Sequence, residues 1–67
     1  MIGFKFLGSK TKSNDSYEYS IWQNKHSGSY CLYRGKTLNT KLFNSNPTVL
    51  LLESYDYTLI QKALDEI

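Results

Sequence analysis

Alternating apolar and polar positions open the chain and predict a β-strand. Ile2, Phe4 and Phe6 recur at every second residue, the period of a strand, and would form an aromatic inner face. Residues 8–16 contain no large apolar side chain and predict a mobile loop. Residues 17–23 are rich in aromatic and β-branched side chains and lack glycine and proline, so they predict a second strand.

A hairpin turn is predicted at residues 24–28, because Gly28 can adopt the positive φ that closes such a turn. With Asn24 opposite Ser29, the second strand pairs with a third. One face of this pair is the more apolar and is expected to form the core: Tyr17, Tyr19, Ile21, Tyr30 and Leu32. The other face carries Glu18, Ser20, Trp22, Cys31 and Tyr33. The alternative is a one-residue slip, which would exchange Tyr30 and Leu32 with Cys31 and Tyr33.

The middle of the chain gives weaker signals. Residues 34–36 predict a second turn or a bulge, residues 37–43 a short irregular strand, and residues 44–47 a break. Residues 48–54 contain a run of four apolar residues that favours a short buried strand. A helix is the alternative there, because Pro47 is a typical residue at a helix start.

An amphipathic helix is predicted from Asp56 onward. Asp56 can cap it, or Thr58 and Gln61 can form a capping box. One stripe at helical spacing is apolar and should face the sheet: Leu59, Ile60, Ala63, Leu64 and Ile67. The sequence therefore predicts a single small α+β domain over residues 1–67. It would be a three- to four-stranded antiparallel β-meander with one C-terminal amphipathic helix on one face, since 67 residues exclude larger architectures.

Charge is unevenly distributed, although the net charge is only +2. Residues 1–52 carry seven Lys and Arg against two Asp and Glu, whereas residues 53–67 carry one against four. This pattern indicates either ordinary solvated charge or a basic surface that suits an acidic partner.

The single cysteine, Cys31, has no second cysteine with which to form an intramolecular disulfide. A reducing cytoplasmic location is therefore expected. The N-terminal residues lack the pattern of a signal peptide, and no apolar run approaches the roughly 20 residues of a membrane span. No association with a membrane is expected.

Catalytic and metal-binding motifs are not evident. The one histidine, His26, falls in the predicted turn, and one Cys with one His do not supply a zinc site. The glycines form no phosphate-binding loop. We therefore expect no catalytic residues, no metal, no cofactor and no enzymatic activity.

The candidate site is the sheet face that one helix would leave uncovered. Trp22 is predicted on that face near Tyr33 and Cys31, with Lys5 and Leu7 on the same side of the first strand. The residues expected to bind a partner are Trp22, Tyr33, Lys5, Lys25, Arg34 and Lys36. The alternative for Trp22 is a second small core or a homodimer seam.

These features favour a non-enzymatic protein-binding module, an inhibitor or adaptor encoded by a virus, such as a phage, or by a mobile element. Richness in Asn, Lys, Tyr and Ser is typical of an AT-rich genome. The alternative is a single-stranded nucleic-acid binder that stacks bases on the same face. Small-molecule sequestration and a purely structural role also stay open. Free strand edges further predict a homodimer.

Overall fold

The computed structural model describes residues 2–11, 17–35 and 48–67, which form one antiparallel sheet followed by one helix. The elements are β1 (Phe4–Thr11), β2 (Glu18–Asn24), β3 (Tyr30–Gly35), β4 (Thr48–Ser54) and α1 (Tyr57–Asp65). The strand order is β1-β2-β3-β4, so each strand pairs with its neighbour in the chain. The predicted α+β meander with one helix is confirmed, and residues 48–54 form the favoured strand. The predictions for residues 36–47 and for 12–16 lie outside the described residues.

The β2–β3 hairpin has the predicted turn and register. The amide of Asn24 donates to the carbonyl of Ser29 over 2.8 Å, and the amide of Gly28 donates to the carbonyl of Asn24 over 2.7 Å. Gly28 has a φ of +83°, which glycine adopts at little cost. Ile21 pairs with Leu32, so the one-residue slip is excluded.

The core lies between the sheet and α1, on the side that we call the helix face. Helix α1 packs against β2, β3 and β4. The buried members of this core are Tyr19, Ile21, Leu32, Ile60 and Leu64. Partly buried side chains surround them: Leu7, Tyr17, Tyr30, Leu52, Ala63 and Ile67. The predicted core face of β2 and β3 is thus confirmed.

Helix α1 begins where the sequence predicts. Asp56 is the N-cap, and its Oδ1 accepts from the amides of Thr58 at 3.0 Å and Leu59 at 3.4 Å. The prediction that Leu59 faces the sheet is wrong, because its side chain is 47% exposed. Each helical residue turns by about 100°, so Leu59 lies about 120° around the helix from the centre of the stripe that Ile60 and Leu64 form.

Strand β1 is longer than predicted. The expected loop began at Gly8, whereas the strand continues to Thr11, because Ser9 pairs with Ser20 and Thr11 pairs with Glu18. Ladder hydrogen bonds to β2 thus stabilise a segment whose polar side chains alone predict a loop.

The two faces of β1 are the reverse of the prediction. Phe6 lies opposite Trp22, on the sheet surface away from α1, which we call the outer face. Leu7 packs against the core, and Lys5 lines a cleft on the helix face. A bulge between Phe6 and Gly8 inserts Leu7 as an extra residue. Phe6 therefore does not point into the helix-side core, and Lys5 does not lie beside Trp22.

The bulge also brings Lys10 to the helix face, opposite the core residue Tyr19. The Lys10 ammonium donates to the carbonyls of Leu64, Asp65 and Ile67 at 3.4, 3.3 and 3.1 Å. These carbonyls lie at the helix C-terminus, where a positive charge is favourable. Lys10 thereby ties β1 to the end of α1.

Candidate functional site

The centre of the outer face is buried, although α1 lies on the other side of the sheet. Trp22 is only 5% exposed, its ring lies 5.1 Å from that of Phe6, and its Nε1 donates to Ser20 Oγ at 3.0 Å. Ser20 is fully buried. Burial of Trp22 in contact with Phe6 and Ser20 matches the alternative of a second small core, and its predicted role in binding a partner stays a prediction.

A polar cluster lies beside Trp22 on the outer face. Cys31 is buried and faces Glu53 across the β3–β4 ladder, and Ser29 Oγ donates to Glu53 Oε2 over 2.7 Å. Burial, followed by the nearby Glu53 carboxylate, raises the pKa of the Cys31 thiol. Burial also raises the pKa of Tyr33, with Cys31 and Glu53 as further causes. The raised pKa favours the protonated thiol, which is a weaker nucleophile than the thiolate.

Three of the basic residues predicted for the binding site, Lys5, Lys25 and Arg34, are among the described residues, and the structure does not bring them together beside Trp22. Lys5 is on the helix face, and Lys25 is exposed in the β2–β3 turn. The Arg34 guanidinium lies 4.6 Å from the ring centroid of Tyr17, and Arg34 is opposite Tyr19 on the helix face. Lys36 lies outside the described residues. Tyr33 does share the outer face with Trp22, and its ring centroid is 6.4 Å from that of Phe4.

Strand β4 presents an apolar surface that the sequence prediction treated as buried. Val49, Leu50 and Leu51 are 45%, 47% and 42% exposed. Among the described strands, β4 is last in the order and pairs with β3 alone. Leu51 is the extra residue of a second bulge. We call Val49, Leu50 and Leu51 the β4 edge.

The run of four apolar residues gave no signal of this exposure. A buried central strand and an edge strand can have the same composition, and only the sheet order distinguishes them. The exposed Leu59 adds to the apolar surface of α1, which itself packs against β4.

A cleft of about 330 Å³ opens on the helix face, near the start of α1. Its lining residues come from four elements: Lys5, Leu7, Gln23, Tyr30 and Tyr57. The Tyr30 and Tyr57 rings meet edge to face, with centroids 5.1 Å apart. We call it the Tyr30–Tyr57 cleft.

Residues 2–11, 17–35 and 48–67 contain neither a metal-binding cluster nor a membrane-spanning helix. No three His, Cys, Asp or Glu side chains in those ranges lie close enough together to hold a metal ion. No helix within the same ranges has the length and apolar character to cross a membrane. His26 is exposed in the β2–β3 turn, where its amide donates to Asn24 Oδ1.

Comparison of the chain with protein-family models, with curated proteins and with solved structures finds no match.

Proposed function

We propose that this chain is a small non-enzymatic protein-binding module and that the β4 edge is its binding surface. The observation that carries the proposal is the exposure of Val49, Leu50 and Leu51, each above 40%, on a strand with one described neighbour. Proteins normally protect such edges with charge, proline or a covering segment, because an unpaired apolar edge pairs with other chains. An exposed apolar edge is accordingly a signature of an interaction site.

Strand addition is the mode of binding that this edge suits best. An extended segment of the partner would continue the sheet beside β4, and main-chain hydrogen bonds would supply affinity. Val49 lies opposite Arg34 and Leu50 opposite Tyr33, so their side chains are on different faces of the sheet and would both contact the added strand. In this proposal Trp22 supports the sheet from within and does not touch the partner.

The wider role that we propose is an inhibitor or adaptor encoded by a virus, such as a phage, or by a mobile element. The composition rich in Asn, Lys, Tyr and Ser, which is typical of an AT-rich genome, supports this class. A cytoplasmic location is proposed because Cys31 is a free, buried thiol, which suits a reducing compartment.

A homodimer is part of the same proposal, since two copies can pair through the β4 edge before a partner arrives. Sedimentation equilibrium tests it: a mass that rises with concentration above 7.8 kDa supports the dimer. The Leu51→Lys variant should shift the equilibrium to monomer, because a lysine on an edge strand opposes pairing. A mass that stays at the monomer value at every concentration contradicts the dimer.

The decisive experiment compares capture of host proteins by three forms of the chain. The wild type, Leu51→Lys and the control Ile2→Lys are each immobilised, and the bound proteins are quantified by mass spectrometry. Ile2 is fully exposed and outside the β4 edge, so the control makes the same chemical change elsewhere. We expect a partner that the wild type and Ile2→Lys retain and that Leu51→Lys loses by at least about tenfold. Equal retention by Leu51→Lys, with its fold verified by circular dichroism, would refute the site.

The alternative is single-stranded nucleic-acid binding through Trp22, Tyr33 and the basic residues. Burial of Trp22 and the separation of Lys5 and Arg34 from it favour the protein partner. Titration with oligonucleotides at low and physiological salt separates the two classes, because phosphate contacts weaken steeply with salt. Tight binding of an oligonucleotide that persists at physiological salt would favour a nucleic-acid partner over a protein partner.

A further inference from the structure

The Tyr30–Tyr57 cleft exists because α1 covers only part of the helix face. The helix packs across β2, β3 and β4, while Lys5 and Leu7 of β1 border the cleft beyond it. The cleft is shallow and largely open to solvent, and its volume of about 330 Å³ is at the lower end of the roughly 300–1,000 Å³ of small-ligand sites. Its size therefore suits a ligand with one ring system.

Two tyrosines give the cleft aromatic walls that are already positioned. Tyr30 is on β3 and packs against the core, so the sheet fixes its place. Tyr57 is 40% exposed, and its hydroxyl donates to Gln61 Oε1 at 3.0 Å, one turn further along α1. Rings held in this way lose little conformational freedom when a flat ligand stacks on them.

The polar side chains of the cleft favour a negative charge. Lys5 is exposed, and the described residues offer its ammonium neither a hydrogen bond nor an ion pair. Lys10 on the same strand is instead occupied with the end of α1. Gln23 Nε2 donates to the carbonyl of Gly28 at 3.3 Å, which orients that side chain at the cleft wall. The charged group beside the two aromatic rings is thus the positive ammonium of Lys5, which is available to an anion.

We propose that the Tyr30–Tyr57 cleft binds a small planar aromatic ligand that carries one anionic group. The ring stacks between Leu7 and the tyrosines, and the carboxylate or phosphate pairs with Lys5. Nucleoside monophosphates and aromatic acids share this chemistry. The residues that line the cleft belong to β1, β2, β3 and α1 and include no member of the β4 edge, so this proposal does not rest on the proposed protein-binding function.

The test is a titration of the ¹⁵N-labelled full chain followed by amide chemical shifts. Four probes separate the elements of the ligand: AMP, 4-hydroxybenzoate, adenosine and inorganic phosphate. We expect saturable shifts centred on Lys5, Gln23, Tyr30 and Tyr57 with AMP or with 4-hydroxybenzoate. Whichever of AMP and 4-hydroxybenzoate binds the cleft more tightly shows whether the ligand is a nucleotide or an aromatic acid. Adenosine and phosphate should each bind the cleft at least about threefold more weakly than that probe.

Three variants make the result specific. Lys5→Gln should weaken the anionic probes by about three- to fivefold and leave adenosine unchanged. Tyr57→Leu should weaken every ring-containing probe by roughly tenfold. The matched control Lys25→Gln removes an exposed lysine of the β2–β3 turn and should change nothing. Shifts that do not saturate, shifts centred outside the cleft, or equal effects of Lys5→Gln and Lys25→Gln would overturn the proposal.

Discussion

Two leucines of α1 allow a stringent test of how the helix packs. Leu64 is 6% exposed and belongs to the core, whereas Leu59, five residues earlier, is 47% exposed. Truncating a buried leucine to alanine removes its transfer free energy and leaves a cavity, which together cost about 3 kcal/mol. The same change at Leu59 should cost at most about 0.5 kcal/mol, because alanine is also the better helix former.

The difference is large on the scale of so small a domain. A chain of this length has a total stability of about 3–10 kcal/mol, and its unfolding entropy converts 3 kcal/mol into a Tm decrease of roughly 20 °C. Thermal and urea unfolding of Leu64→Ala and Leu59→Ala, followed by circular dichroism, measures both values. Equal destabilisation by the two substitutions would show that the orientation of α1 described above is wrong.

Three further predictions concern the helix ends and the outer face. Asp56→Ala should lower stability by about 1 kcal/mol through loss of the N-cap, while Asp56→Asn should retain it in the same unfolding assay. Lys10→Met keeps the apolar stem but removes the ammonium, so it should cost about 1 kcal/mol, and an unchanged Tm would contradict the bonds to the helix carbonyls. The raised pKa values of Cys31 and Tyr33 mean that the folded state favours their protonated forms. The stability that these groups contribute is complete at pH values below their pKa in the unfolded chain. It is lost as the pH rises through their higher pKa in the folded protein. Tm should therefore fall above about pH 9, and less so in Cys31→Ser.

The hairpin and the helix were predictable because local signals determine them. Gly28 marks the turn, Asn24 opposite Ser29 sets the register, and Asp56 marks the helix start. Each signal acts within a few residues, so the sequence alone contains the information. The core face of β2 and β3 followed from that register.

The faces of β1 and the exposure of Trp22 were not predictable in the same way. Phe4, Phe6 and Leu7 are all apolar, so alternation does not decide which of them meets the helix. A bulge has no distinctive residue here, and its position depends on pairing with β2. Trp22 is buried and the β4 edge is exposed for a related reason, since burial depends on how the whole sheet is covered.

Each of the four described strands pairs with its neighbours in the chain, which has a consequence for the kinetics of folding. Strands that pair in chain order close shorter loops than strands that pair out of order, and a shorter loop costs less entropy to close. The hydrogen bonds from Lys10 are long-range contacts, because the carbonyls that accept them are 54 to 57 residues away in sequence. We therefore expect the strands to associate in the transition state and the Lys10 bonds to form after it. Lys10→Met should then speed unfolding while leaving the folding rate almost unchanged.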